Sequence, residues 1–290
     1  MSLGRQIEKG TDIKMENILL QISNMTFAYE DQEVLKDVSL SITRGEKIAV
    51  MGSNGAGKST FFLNLCGVLR PDKGEIYLEG RPIKKKQIRE LHRKVGFVFQ
   101  DADSQIIASS VRAEISFGPM NMGLAREEVI KRVDEAVSYL SLQSLGDRPP
   151  HYLSGGEKKR VSIADILAME PEIMIFDEPM AALDPVNAET VEEILERVHE
   201  DGKTLLIATH DVDFAYRFAD RILVFSEGKL IADGEPGTIF RRQEIMEQAH
   251  LKEPAVLTIW EALAEAGIVK DRKDCPATPK QVANEIIYNR

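Results

Sequence analysis

The stretch Gly52-Ser53-Asn54-Gly55-Ala56-Gly57-Lys58-Ser59-Thr60 constrains the fold more than any other part of this chain. It has the form G-x-x-x-x-G-K-[ST], and its flanks give that pattern physical sense. Lys47 to Met51 reads as a short buried strand, and Ser59 to Leu69 reads as a helix closing near Gly67 and Pro71. The glycines allow successive N–H groups to curl around a phosphate with no Cβ in the way, and the helix start adds a partial positive charge. Lys58 is placed to reach the β- and γ-phosphates of a nucleotide, and the Ser59 hydroxyl to reach Mg²⁺. A plain glycine-rich turn is the alternative. The strand before and the helix after favour nucleotide binding.

Other elements repeat one device, a short apolar strand that ends in chemistry. Val95 to Phe99 ends in Gln100. Ile173-Met174-Ile175-Phe176 ends in Asp177-Glu178, and a buried strand does not end in two acids without a cation or a proton to handle. Lys203 to Thr209 ends in His210, placed to meet a γ-phosphate if the strand lies beside the loop. Before the loop, Leu20 to Ile22 and Val38 to Ile42 alternate as half-buried strands. Tyr29 is expected in the polar connection between them, where a purine could stack on it.

His151-Tyr152-Leu153-Ser154-Gly155-Gly156-Glu157 precedes a helix running to Met169. Ser154, Gly155 and Gly156 are either a simple cap or a second anion site built from a hydroxyl and free N–H groups. Val129, Val133, Val137 and Leu140 fall on one helical face. Lys84-Lys85-Lys86 reads as a solvated face. Leu183-Asp184-Pro185 turns the chain into another helix, and Arg221 to Ala232 reads as a hairpin around Glu227-Gly228. In the tail, Val256, Ile259, Trp260 and Leu263 follow helical spacing, so Pro254 to Ala266 is expected to be amphipathic, with a second helix from Pro279 to Tyr288. The tryptophan stripe packs either on its own domain or on a partner. Residues 1–14 show no pattern and read as a leader or a frayed terminus.

The formal charge is −10, and residues 241–290 balance, so the acidic excess lies in residues 1–240. That argues against a nucleic-acid partner. The longest run without Asp, Glu, Lys or Arg, Asn17 to Tyr29, is too short and polar to span a bilayer. Two cysteines, Cys66 and Cys275, argue against a disulfide framework or zinc site and make a reducing cytosol the default.

The phosphate loop, Gln100, Leu153-Ser154-Gly155-Gly156-Glu157, Phe176-Asp177-Glu178 and His210, in that order, make residues 16–240 resemble the ATP-binding cassette ATPases. The resemblance implies an α/β fold of the P-loop NTPase, ABC ATPase type. That is a RecA-like core with a mixed sheet, an antiparallel β subdomain, a helical signature subdomain at about 101–169, and a small helical extension over 241–290 after an ATP-binding domain over 15–240. It implies ATP and Mg²⁺ as ligands. Tyr29 matches the adenine-stacking aromatic, Gly52 to Thr60 the Walker A loop and Asp177 the end of Walker B. Glu178 matches the catalytic carboxylate, Gln100 the glutamine that touches Mg²⁺ and senses a membrane partner, and His210 the switch histidine. Asp184 matches the loop that crosses to an opposite subunit. Two cassettes pair head to tail in this family, each ATP lying between the Walker A loop of one and the Ser154-Gly155-Gly156-Glu157 signature of the other.

Asp103-Ser104-Gln105 and Phe117-Gly118-Pro119-Met120-Asn121-Met122-Gly123-Leu124 are similar to the cobalt and energy-coupling-factor branch of uptake ATPases, although Asp101-Ala102 replaces the usual Asn-Pro. The implied partners are a second ATPase subunit, identical or paralogous, and integral membrane transport subunits, with the chain on the cytoplasmic face of the cell membrane. Cobalt is the first expectation for the cargo, and a vitamin importer is the alternative. A soluble ABC ATPase of DNA repair or translation fits less well, since the interval between Thr60 and Ser154 is too short for a long coiled coil. Met180 stands where Ser or Thr is usual, and Asp165 where a small residue is usual; a surface-facing position is expected for Asp165.

Overall fold

The computed structural model describes residues 17–269 and 275–288; the leader expected over 1–14 lies outside them. The chain opens with β1 (Ile18–Tyr29), β2 (Gln32–Thr43) and β3 (Lys47–Met51), followed by α1 (Lys58–Leu65). Then come β4 (Lys73–Leu78), β5 (Arg81–Pro82), α2 (Ile88–Lys94) and β6 (Val95–Val98). Three helices follow, α3 (Val111–Asn121), α4 (Arg126–Tyr139) and α5 (Gly155–Leu167). The second half alternates β7 (Ile173–Asp177), α6 (Pro185–Glu200), β8 (Thr204–Ala208), α7 (Val212–Phe218), β9 (Arg221–Ser226) and β10 (Lys229–Gly234). Helices α8 (Pro236–Ile239), α9 (Gln243–Ala249), α10 (Ala255–Glu265) and α11 (Pro279–Tyr288) close it.

The strands form an antiparallel sheet in the order β2-β1-β4-β5 and a six-stranded sheet in the order β10-β9-β3-β8-β7-β6. The second is parallel except for β10, which returns antiparallel on β9 through the expected Glu227-Gly228 turn. Alternation along β7 and β8 explains why both faces of this sheet are covered. Ile173, Ile175, Leu206 and Ala208 join the core shared with α1 and the antiparallel sheet. Met174, Phe176, Leu205 and Ile207 join the core shared with α3 to α6. Each fully buried Leu, Ile or Phe side chain contributes about 1.5–3 kcal/mol of transfer free energy, so the central sheet is fixed from both sides.

The helix starts follow their caps. Ser110 accepts from Ala113 N–H, Asp184 from Val186 and Asn187 N–H, and Asp211 from Phe214 N–H. Pro185 occupies the first turn of α6, where its missing N–H costs nothing. On α4, Val129, Val133 and Val137 are buried with Leu140 just beyond it, as the spacing predicts, and Ala136 joins them.

Two expectations need correction. Tyr29 is the last residue of β1, paired across to Gln32, and the connection shrinks to Glu30-Asp31 because β1 and β2 stay paired to their ends. On α10 the buried stripe is Val256, Leu257 and Trp260, and Ile259 is exposed. Trp260 lies in a core with Ile222, Val224, Phe240 and Met246, so this stripe is occupied within the chain. Among the described residues no helix is long and apolar enough to cross a membrane.

Candidate functional site

Parallel pairing carries the expected residues to one edge of the sheet. Val50 lies opposite Ala208, Asp177 opposite Ala208 and Val98 opposite Phe176. The chain therefore leaves β3, β8, β7 and β6 at nearly one level, the carboxyl edge where ligands bind in open α/β sheets. A cavity of about 340 Å³ opens there, lined by Val34, Asn54 to Thr60, Gln100, Asp177, Glu178, Ala181 and His210. A larger groove of about 780 Å³ runs along α6, but its walls carry Glu189, Glu192, Glu193, Glu196 and Glu200. Carboxylates repel phosphate, so chemistry rather than volume selects the first cavity.

The loop is shaped by two glycines. Gly52 has φ +139°, and a Cβ there would stand 2.1 Å from Phe225 O of β9. Gly57 has φ +103° and caps α1. A side chain at Gly52 would push the loop off β9, and one at Gly57 would be strained by its φ and press on Val34 and Leu35 of β2. Lys58 is buried, and its Nζ donates to Gly52 O (2.7 Å) and Ser53 O (3.2 Å). Burial lowers its pKa, opposed by Glu178 and Asp177. Ser59 Oγ donates to Asp177 Oδ2 at 2.7 Å. The Ser59 hydroxyl, the Asp177 carboxylate and the Gln100 amide line the same cavity and are oxygen donors of the kind Mg²⁺ takes, phosphates and waters usually completing its octahedron.

Glu178 continues the β7 pairing by donating its N–H to Ala208 O (3.0 Å), then turns with φ +47°. A left-handed non-glycine residue stores strain of order 1–3 kcal/mol, and such residues concentrate at functional sites. Its Oε1 lies 3.3 Å from His210 Nε2 but out of line for a hydrogen bond, so this buried oxygen has no donor. Burial pushes the Glu178 carboxyl up to about 7, against the pull of Lys58. Burial, then the Lys58 charge, lowers the His210 pKa.

The remaining expected residues lie apart from this cavity. Tyr29 is 46% exposed and meets Phe27 edge-on at 4.9 Å. Ser154 caps α5 in a capping box, its Oγ accepting from Glu157 N–H while Glu157 Oε2 accepts from Ser154 N–H at 2.7 Å. Accepting this bond leaves the Ser154 O–H available as a donor, and Gly155 and Gly156 N–H remain open. A Cβ on Gly156 would meet Asn187 Oδ1 at 2.1 Å, and Asn187 Nδ2 donates to Asp184 Oδ2 at 2.6 Å. The signature and Asp184 therefore share one corner, joined by a residue that sequence reasoning passed over. The Asn187 side chain also leads the contacts that hold the Asp184 pKa down.

Lys159 was missed as well. It is 3% exposed, donates from Nζ to Phe99 O (2.9 Å) and Gln100 O (2.7 Å), and burial lowers its pKa to about 8. A lysine on the apolar side of the α5 pattern was the available signal.

Asp165 corrects the surface expectation. It faces inward from α5, where Gln105 Nε2 donates to its Oδ2 at 3.1 Å, and burial pushes its carboxyl up to about 7. Because the folded protein holds this proton more tightly than the unfolded chain, Asp165 costs stability progressively as pH rises from about 4 through about 7. Asp165→Asn is expected to melt above the wild type at pH 8, with the gap narrowing at pH 5; the full shift corresponds to about 4 kcal/mol as an upper bound. Unfolding in urea at the two pH values measures it, and a gap that widens toward pH 5 would show the sign to be wrong.

A phosphate loop, paired acids and a histidine at adjacent strand ends, with a capped glycine pair opening a separate helix, define a nucleotide-binding cassette. The family model described as ABC transporter matches residues 35–181. The chain belongs to the ABC transporter family, and its site is that of an ATPase. An energy-coupling factor transporter ATP-binding protein from Methanocaldococcus jannaschii is 44% identical over 84% of this chain and 89% of its own length. One so named from Methanospirillum hungatei is 42% identical over 93% of this chain and 69% of its own. The chain spans 59% of the length of a further relative from Methanosarcina mazei, at 42% identity. A solved structure of cbiO1 from Clostridium perfringens, described as part of the ABC transporter complex cbiONQ, superimposes with TM-score 0.72 at 40% identity over 80% of this chain and 94% of that one. An ATP-binding cassette solved as a dimer in a post-hydrolysis state with ADP and Pi gives TM-score 0.67 at 29% identity, over 75% of this chain and 99% of that one.

Proposed function

We propose that this chain is the ATP-hydrolysing subunit of an importer of the energy-coupling-factor type, driving uptake of a transition-metal ion, cobalt first. The observation that carries the ATPase half is the convergence of Lys58, Ser59, Gln100, Asp177, Glu178 and His210 on one cavity. The names borne by relatives at 42–44% identity support the importer half. Cobalt rests on the resemblance of Phe117 to Leu124 and on the cbiO1 neighbour.

In this reading Gly52 to Thr60 cradle the ATP phosphates and Lys58 leaves its loop carbonyls for them. Ser59, Asp177 and Gln100 would hold Mg²⁺, which when bound would neutralise charge on the phosphates. Glu178 orients and accepts a proton from the attacking water, and His210 contacts the γ-phosphate. Two copies, or this chain and a paralogue, pair so that Ser154, Gly155 and Gly156 of one complete the site of the other, with Asp184 beside the crossing and Tyr29 against the adenine. The separation of the signature from the cavity within one chain, and the open N–H groups of Gly155 and Gly156, support that arrangement.

Membrane subunits would sit on the surface after Gln100, where Ile107 and, one turn apart on α3, Phe117 and Met120 are exposed. Co-purification from membranes, reconstitution into vesicles and ATP-dependent uptake of radioactive cobalt test the proposal. Uptake that needs ATP and is lost in the Glu178→Gln protein is expected. A chain that associates with no integral membrane protein overturns the importer reading, and uptake of a vitamin in place of the metal overturns the cargo.

A further inference from the structure

The segment that follows β6 is fastened to α5 at three points. Lys159 Nζ holds the carbonyls of Phe99 and Gln100. Lys158 Nζ reaches Asp103 Oδ1 at 2.6 Å. Gln105 closes the strap, its Oε1 accepting from Phe99 N–H (3.2 Å) while its Nε2 donates to Ser162 O (2.9 Å) and Asp165 Oδ2. Lys159 is the costly member. An ammonium buried against main-chain carbonyls, with no hydrogen-bonded carboxylate, gives up hydration that an apolar side chain of similar length would not. Its gain is directional, because two carbonyls of consecutive residues are pinned to one point on α5. Lys159 lies about one helical turn from Ser154, so the pin joins Gln100, which lines the nucleotide cavity, to the signature at the start of the same helix.

We propose that Lys159 is a positioning residue: it fixes the main chain at Gln100 to the signature helix, so that the glutamine in a chain's own cavity and the Ser154-Gly155-Gly156 segment offered to the other copy move as one body. The proposal rests on the paired-copy reading above. A shift of the Gln100 main chain in one ATP site then moves the signature presented to the second site.

Lys159→Met removes the donors and keeps the length, Lys159→Arg keeps donors, and Lys159→Gln serves if the methionine protein does not fold. Hydrogen exchange on the nucleotide-free chain is the first measurement. Lys159→Met is expected to raise exchange about tenfold at the amides of Phe99 to Ala102 and to leave the Gly52–Thr60 loop unchanged. In steady-state ATPase assays kcat is expected to fall about 10- to 100-fold with KM for ATP within about twofold, the cost of an ångström-scale misplacement. Lys159→Arg is expected to restore most of kcat. Unchanged exchange at Phe99 to Ala102 overturns the strap. Raised exchange with unchanged kcat overturns its part in turnover, and joint loss of ATP binding and kcat without rescue by arginine reduces Lys159 to a structural residue. A wild-type chain that keeps its full rate at dilutions where gel filtration with ATP shows single copies counts against the paired-copy reading instead, and leaves the exchange result standing.

Discussion

Replacing Glu178 by glutamine is expected to lower ATP turnover by about 10²- to 10⁴-fold, the contribution of a positioned general base, while ATP binding persists. The backbone of Glu178 is held by Ala208 O and turned by its φ of +47°, and neither depends on the side chain's charge. Glutamine keeps the volume and one oxygen, so the cavity and its Lys58 contacts should survive. What is lost is the capacity to take a proton. The carboxylate has a buried oxygen without a donor and a pKa raised by burial to about 7. A base poised near neutral pH matches proton transfer best, since it is both ionised in useful amount and basic enough to accept. If hydrolysis is what releases the paired copies, the variant should also accumulate as an ATP-bound dimer. Phosphate release, binding of a fluorescent ATP analogue and gel filtration with ATP measure the three effects. Turnover within a factor of two of wild type would remove Glu178 from its role.

The parts of this site that were legible in the sequence are those in which one short segment carries both the chemistry and its geometry. The loop from Gly52 to Thr60 needs only its own strand, glycines and helix to be recognised, and Asp177-Glu178 needs only the four apolar residues before it. Sheet order was not legible, because nothing local to β3 says that β8 and β9 flank it; that follows from crossovers running through α6 and α7. Yet this order is what brings His210 beside Glu178. Asn187 and Lys159 escaped for the same reason, and Gln105 was read only as part of a branch-specific segment, since each acts on a residue tens of positions away or on another helix. Asp165 was misplaced because a carboxylate on a helix defaults to solvent, and its partner Gln105 becomes a neighbour only when α5 packs on the segment after β6. Tyr29 and the α10 stripe were shifted by strand pairing and by burial of Leu257, which periodicity alone could not rank against Ile259.

Gly155 allows the shared-site arrangement to be tested without disturbing the chain that carries the change. A Cβ at Gly155 meets nothing within 4 Å, whereas one at Gly156 strikes Asn187. Gly155→Asp is therefore expected to fold and melt like wild type and to bind ATP in its own intact cavity. A carboxylate at this helix start would face the phosphates held by the other copy, and like charges in a partly dry interface repel strongly. Hydrolysis is expected to fall at least about 10²-fold, as on removal of a group that stabilises the reacting phosphate. Lys58→Ala, which spoils the phosphate loop and leaves the signature intact, is expected to be equally inactive. The two inactive proteins then complement each other. In a mixed pair, the loop of the Gly155→Asp chain meets the signature of the Lys58→Ala chain, and one of two sites is whole. An equal mixture forms mixed pairs half the time, so independent sites give about a quarter of the wild-type rate, and strictly coupled sites give pairing with less. ATP-dependent capture of one protein by a tag on the other, measured with the rate, separates these cases. If each chain held a complete site, mixing would restore neither capture nor turnover, and Gly155→Asp alone would still hydrolyse ATP.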